Sequence, residues 1–318
     1  MNQTTRPTEC PACGVALAGR YCHACGQDTL ARPRPLREWA SEAFSETNLV
    51  DGRTARTLAA LATRPGRLLE AYRSGAGSVY QTPLKMFVVL TALFLLTLSF
   101  AKVDIYQYVA RPIRAGVPIT ARADPDGVTV HLTNVQQGER WMQRHMDPAI
   151  DPAVTAAVQA AADRATTNRD RQNLTYENVS NREQAAISER LAAWLPNALW
   201  ILMPLYAVLL IPFFGRRRLF MEHLVFALWA HVLAFSLLIL LALANKFGAG
   251  APGWPLVFPY LAYVTAAAAR YYAMPWVSAL WRGAVHFGLY LGLVLMPAAV
   301  LIALTVMDLK AYLAFVSA

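Results

Sequence analysis

Residues 83–101 read PLKMFVVLTALFLLTLSFA, nineteen positions with one charge, Lys85, near the start. A run that apolar must be enclosed by protein on every side or placed in lipid. A bilayer core of about 30 Å is crossed by about 20 apolar residues as a helix. Comparable runs follow at 194–214, 223–244, 254–273 and 283–307. Across 318 residues, 56% are hydrophobic and 15% charged, well off an ordinary globular balance. The expected fold is a mostly α membrane protein with about five transmembrane helices, its native partner being a lipid bilayer.

The formal net charge of +9 is unevenly placed: residues 1–85 hold eleven basic against seven acidic side chains, and residues 102–190 hold eleven of each. Short-loop arginine and lysine favour the cytoplasmic side. Arg216, Arg217 and Arg218 follow the second run, and Arg270 and Arg282 flank the link between the fourth and fifth. This puts the amino terminus in the cytoplasm and the carboxyl terminus outside. The segment MNQTTRPTEC lacks the charged and apolar regions of a cleavable signal, so none is expected. Arginine outnumbers lysine by 25 to 4, which suggests a bacterial source and hence an inner (cytoplasmic) membrane.

All four cysteines fall within CPACGVALAGRYCHACG, residues 10–26. Cys10-x2-Cys13 and Cys22-x2-Cys25 are two knuckles, and a tetrahedral metal site needs four thiolates about 2.3 Å from the ion. Gly14 and Gly26 follow the second cysteine of each pair, where a left-handed backbone is cheapest for glycine. The expected object is a cytoplasmic zinc ribbon over 1–30, with structural Zn2+ held by Cys10, Cys13, Cys22 and Cys25. With four protein ligands no position is open for catalysis. A redox pair wants a βαβ setting, and paired disulfides want an oxidising compartment. His23, between two ligands, reads as a surface residue. The ribbon lacks a basic, aromatic face, so no nucleic acid is expected as a partner.

The remaining organisation is read from pattern. Residues 31–82 place apolar residues at helical spacing, Leu36 to Phe44 in one helix and 54–63 in a second that stops at Arg64-Pro65-Gly66. These read as amphipathic juxtamembrane helices, either at the lipid interface beside five arginines or packed as two soluble helices. After the span 83–101 comes an extracytoplasmic loop domain, 102–191, with a β-hairpin on both sides of Asp124-Pro125-Asp126-Gly127 and helices from 148, interrupted around 166–175. Residues 192–318 form a four-helix transmembrane region.

Ionisable residues inside spans are functional suspects. Glu222 and His223 open the third span, His231 lies eight residues on, and His286 sits one helical turn past Arg282 in the fifth. Together they could form a proton relay or a second metal site; the favoured reading is a hydrogen-bonded lock between helices. Gly288-x3-Gly292, with Ala284 one turn before, is a small-residue stripe for close packing or a homo-oligomer. No His-Glu-x2-His pair, activated serine or Gly-rich phosphate loop occurs in the sequence.

The ribbon motif RYCHACGQ, then Asp51, Arg53, Thr57, Leu58, RPG at 64–66, Tyr72, Tyr80, Pro83, Phe87 and EHLVFAL at 222–228, resembles the bacterial membrane proteins catalogued as domain of unknown function 3667. The resemblance implies a polytopic inner-membrane protein and no assigned reaction. Two positions depart from it: SGAGSV at 74–79, where members often carry basic residues, and Trp229, where they often carry histidine. The functional expectation is a non-enzymatic protein whose ribbon meets a protein partner or the membrane surface. The alternatives are a small-solute or ion transporter and an intramembrane enzyme using the Glu222 and histidine cluster.

Overall fold

The computed structural model describes residues 8–10, 13–28, 52–74, 79–125, 129–215 and 218–305. The expected helix at 36–49, Arg216, Arg217 and the end of the fifth run lie outside the described residues. The chain divides into two compact units. One draws on Met1–Leu96, Trp200–Ile239 and Trp254–Gly292, the other on Thr97–Leu199, Leu240–Gly253 and Leu293–Ala318.

In the first unit, α1 (Gly52–Thr63) and α2 (Arg67–Arg73) form a tight helical hairpin. The turn between them needs Gly66, whose φ is +85°; a Cβ there would also sit 3.3 Å from the Arg270 Cβ. The backbone and the close approach both demand glycine. Thr57, fully buried, donates its hydroxyl to the Arg53 carbonyl at 2.7 Å and accepts the Gln81 N–H at 2.9 Å. One side chain thus ties α1 to the entry of α3 (Pro83–Ala101).

Three helices are long and apolar enough to cross a membrane: α3, Phe220–Lys246, and the continuous stretch Trp276–Leu304. In chain order the helices after the loop segment are α5 (Asn168–Phe214), α6 (Phe220–Lys246), α7 (Val257–Tyr271), α8 (Trp276–Tyr290) and α9 (Met296–Leu304). Within the first unit α3 meets α6 through aromatic rings: Phe94 stacks on Phe235 at 5.3 Å between centroids, and buried Phe87 lies 5.9 Å from the same ring. A π-helical turn, Leu291–Leu295, joins α8 to α9 just ahead of Pro297. Proline has no N–H and its ring crowds the carbonyl four residues back, so a widened turn relieves the clash. Gly288 and Gly292 are both exposed, with nothing within 4 Å of a built Cβ, so the small-residue stripe packs on no other helix of the described chain.

The second unit contains more sheet than the sequence suggested. The hairpin of β2 (Thr120–Ala123) and β3 (Val130–Thr133) brackets the Asp-Pro-Asp-Gly segment, as expected. It packs its alternate residues, Ala121, Ala123, Val130 and Leu132, on Val158, Ala161, Ala162 and Leu174 of α4 (Pro152–Arg164) and α5. Around it the structure adds a ten-residue antiparallel pair, β1 (Val103–Pro112) with β4 (Val135–Arg144), in a register that sets Arg111 opposite Gln136 and Gln107 opposite Arg140. β4 reads VQQGERWMQR, so its polar residues occupy both faces and hide the two-residue period.

The helices expected from 148 are present, with the break at 165–167. Asp151 caps α4 by accepting the Ala153 N–H at 2.9 Å, and Pro152 fills the first turn. The boundary expected at 191 is not a break in the chain's secondary structure: α5 runs 47 residues without interruption from the loop segment into the second apolar run. A hydrophilic helix and an apolar one are continuous in backbone hydrogen bonding, and only composition changes along them.

Asn245, 1% exposed, closes this unit. Its Nδ2 donates to the carbonyls of Met142 at 2.5 Å and Ala251 at 2.9 Å, while its Oδ1 accepts the Ala251 N–H at 2.7 Å. One amide therefore fixes the turn after α6 onto β4. Replacing it by leucine leaves buried main-chain groups unpaired, at roughly 1–3 kcal/mol. Asn245→Leu should lower the thermal midpoint of the purified protein, and amide exchange should rise first at Met142 to Gln143 and Ala251.

Candidate metal centre

The two cysteine knuckles are built alike, twelve residues apart. Gly14 N–H donates to the Cys10 carbonyl and Gly26 N–H to the Cys22 carbonyl, both at 2.8 Å; Cys10 N–H reaches Val15 O at 2.8 Å and Cys22 N–H reaches Gln27 O at 2.9 Å. Each turn closes through a glycine with positive φ, +78° and +72°. Single antiparallel bridges, Glu9 with Ala16 and Tyr21 with Asp28, clamp the two loops. Arg20 pairs with Asp28 at 2.8 Å across the second. The turns aim each pair of sulfurs to one point, the geometric reason for a two-residue spacer.

The four sulfurs lie within 4.8 Å of one another. Cys10 Sγ is 3.6 Å from Cys25 Sγ, and Cys13 Sγ is 3.6 Å from Cys22 Sγ. A disulfide would need about 2.05 Å. Four ligands about 2.3 Å from one ion would stand about 3.8 Å apart, close to the spacing found. The Gln27 backbone N–H lowers the Cys25 thiol, but desolvation and the neighbouring sulfurs outweigh it and push it up to about 12. Four thiolates so close repel one another strongly, and a divalent cation is the natural compensation. The residues present fit a metal ion, and no other group of three or more candidate ligands occurs among the described residues.

The structure divides the four polar residues of the spans into separate settings. Glu222 accepts the Leu219 N–H at 3.1 Å and an Arg218 N–H at 3.3 Å, which is the role of the third residue of a helix in a capping box. His223, fully buried, faces Gly215 O at 3.3 Å and the Tyr272 hydroxyl at 3.0 Å. A carbonyl only accepts, so Nε2 carries the hydrogen and Nδ1 accepts from Tyr272. His231 donates from Nδ1 to Ala227 O, one turn back in its own helix, at 2.8 Å. His286 donates to Tyr206 O at 3.2 Å, and the Tyr206 ring lies edge-on to both His286 and His231, 4.4 and 5.2 Å away between centroids. His231 and His286 therefore share a tyrosine, while Glu222 and His223 serve helix ends.

Sequence reasoning did not reach Tyr206 and Tyr272. Neither stands out by type in an apolar run, and both matter only through partners far along the chain. It also read Arg270 and Arg282 only as topological markers. Arg282 donates to the Phe213 carbonyl in the last turn of α5 at 2.9 Å, and Arg270 to the Pro65 carbonyl at 2.9 Å. Arg73 reciprocates by reaching Tyr271 O, at the end of α7, at 3.0 Å. Trp229, 4% exposed, lies in an apolar pocket with Leu61, Phe226 and Val264, and its indole N–H has no partner among the described residues.

Removing the His223 imidazole leaves the buried Tyr272 hydroxyl without its acceptor, so His223→Leu should cost about 1–3 kcal/mol of stability in detergent. Adding Tyr272→Phe should restore part of that loss. Strict additivity in the double-mutant cycle would exclude a bond between them.

Residues 51–95 match the model of a family described as "Protein of unknown function (DUF3667)". No curated protein and no solved structure matches the chain. The matched segment holds α1, the Pro65-Gly66 turn, α2 and most of α3, and so includes Thr57 and Gly66, whose packing requirements are described above. Residues 51–95, and these alone, are what the chain has in common with that family model.

Proposed function

We propose that the chain is a non-enzymatic, multi-pass protein of a bacterial inner membrane, and that its amino-terminal ribbon binds one structural Zn2+ and presents a rigid docking head to a protein partner. The observation that carries this reading is the duplicated knuckle with four sulfurs inside 4.8 Å. Among thiolate-binding ions, zinc combines tetrahedral preference with no redox chemistry. So short a ribbon cannot bury enough apolar surface to fold by itself, whereas a structural zinc contributes about 10–16 kcal/mol in comparable peptides. A metal used only for folding suits a domain whose product is a surface.

The membrane region is proposed to cross five times. Beyond the three long helices, the apolar end of α5 at Trp200–Phe214 and the helix α7 are the two further crossings. The first continues a longer helix, and the second is extended by the 3-10 turn Trp254–Leu256, so neither is limited to its own fifteen residues. The arginine-bearing turns set the amino terminus and the ribbon in the reducing cytoplasm, where four cysteines stay free for metal.

Purified full-length protein should contain about one zinc per chain by elemental analysis, and Cys13→Ser should lose it. Iron in its place, or no metal with four freely reactive thiols, would overturn the metal assignment. Topology is tested separately in a cysteine-free background: Gly19→Cys should resist an impermeant thiol reagent in intact cells, and Ala115→Cys should react. The opposite pattern would invert the orientation.

A further inference from the structure

The second unit contains a cavity of about 330 Å³ lined by Val109, Arg111, Gln136, Arg140, Met146 and Asp151. Its walls follow from the sheet register. Positions 107, 109 and 111 of β1 share a face with 136, 138 and 140 of β4. Gly138 stands between Gln136 and Arg140 without a side chain, and nothing approaches within 4 Å of the place a Cβ would take. That vacancy opens the floor. The third wall is the segment 146–151, held to β1 by Ala110 N–H to Ala149 O at 3.1 Å and Asp151 N–H to Ala110 O at 2.9 Å. Buried Gln107 fixes its start, giving its amide N–H to Met146 O at 2.9 Å and accepting the Met146 N–H at 3.2 Å.

Both arginines in this cavity lack a carboxylate partner among the described residues. Arg111 Nε is buried with no hydrogen-bond acceptor among the described residues. Among the described residues Arg140 reaches only neutral groups, Met146 Sδ at 3.3 Å and Gln136 Oε1 at 3.4 Å. The one acidic side chain, Asp151, is engaged at the start of α4 by the Ala153 N–H. Two guanidinium charges against one carboxylate leave the cavity with a surplus of one positive charge, and a buried N–H without an acceptor is costly. A planar anion with two acceptor oxygens matches the edge of a guanidinium in bidentate fashion. A phosphate dianion would exceed the surplus charge and face Asp151.

We propose that this cavity is a binding site for a small carboxylate, held by Arg111 and Arg140. The carboxylate accepts from the Nε edge of Arg111, Arg140 supplies the second charge, and Val109 and Met146 contact the carbon skeleton. The size of the cavity suits a compact organic acid.

The full chain in nanodiscs, labelled with 13C at the methionine methyls, reports on this directly. Acetate, propionate and inorganic phosphate, as sodium salts, are titrated against sodium chloride at matched ionic strength. The Met146 resonance, assigned with Met146→Leu, should shift saturably with the carboxylates, and the shift should fall at least tenfold in apparent affinity in Arg111→Gln and in Arg140→Gln. The Met142 resonance, from a buried residue of β4, should stay unchanged in both variants and certifies that the unit is folded. No Met146 shift with any carboxylate, a response to phosphate alone, or equal affinity in a folded Arg111→Gln protein would each overturn the proposal.

Discussion

The first, largely helical unit depends on main-chain carbonyls at helix ends finding donors in other parts of the chain. A helix leaves its last four carbonyls without intrahelical partners, and in an apolar medium water is not there to replace them. Here cationic and imidazole side chains serve: Arg282 at Phe213, His223 at Gly215, Arg73 at Tyr271, and Arg270 at Pro65. A hydrogen bond from a charged donor is worth about 1.5–3 kcal/mol, more than most neutral pairs. The three arginines also each pair a cation with the negative end of a helix or turn. Between helices in lipid there is little hydrophobic driving force, so such bonds and ring packing carry the specificity.

That arrangement accounts for the segment that matches the family model. Residues 52–73 form two helices too short to stand alone. They are held at one end by the Thr57 hydroxyl and at the other by an exchange with α7, in which Arg73 donates to the Tyr271 carbonyl and Arg270 to the Pro65 carbonyl. Gly66 lets the turn approach α7 closely enough for that exchange. Thr57, Gly66 and the proline before it are therefore architectural. Arg270 and Arg282, which the sequence offers as topology markers, act in the structure as main-chain donors, a role suited to a guanidinium because it stays charged.

The ribbon follows a different economy. Its order comes from short local bonds repeated in two knuckles and from four sulfurs converging on one point, with few apolar side chains buried. The loop unit, by contrast, is held by a small alanine- and valine-rich cluster and by single amides such as Asn245 and Gln107 that satisfy several main-chain groups each. Asparagine and glutamine suit this because each carries both donor and acceptor.

Whatever depends on residues near one another in the chain was legible in the sequence. The cysteine knuckles, the apolar runs, the Asp-Pro-Asp-Gly hairpin and the stop at Pro65-Gly66 all rest on local spacing or composition, which a linear reading sees directly. The β1 and β4 pair was not, because its strands are stabilised by partners about thirty residues away and their polar faces both carry work. Nor was the pairing of His286 with Tyr206 or of His223 with Tyr272, where the sequence offered a cluster with Glu222 and the structure separates the members by helix rotation. Three to four residues per turn decide which side a histidine faces, but not which helix stands opposite. That choice belongs to tertiary packing, which also brought Arg111 and Arg140 to one face of a sheet that sequence alone did not reveal.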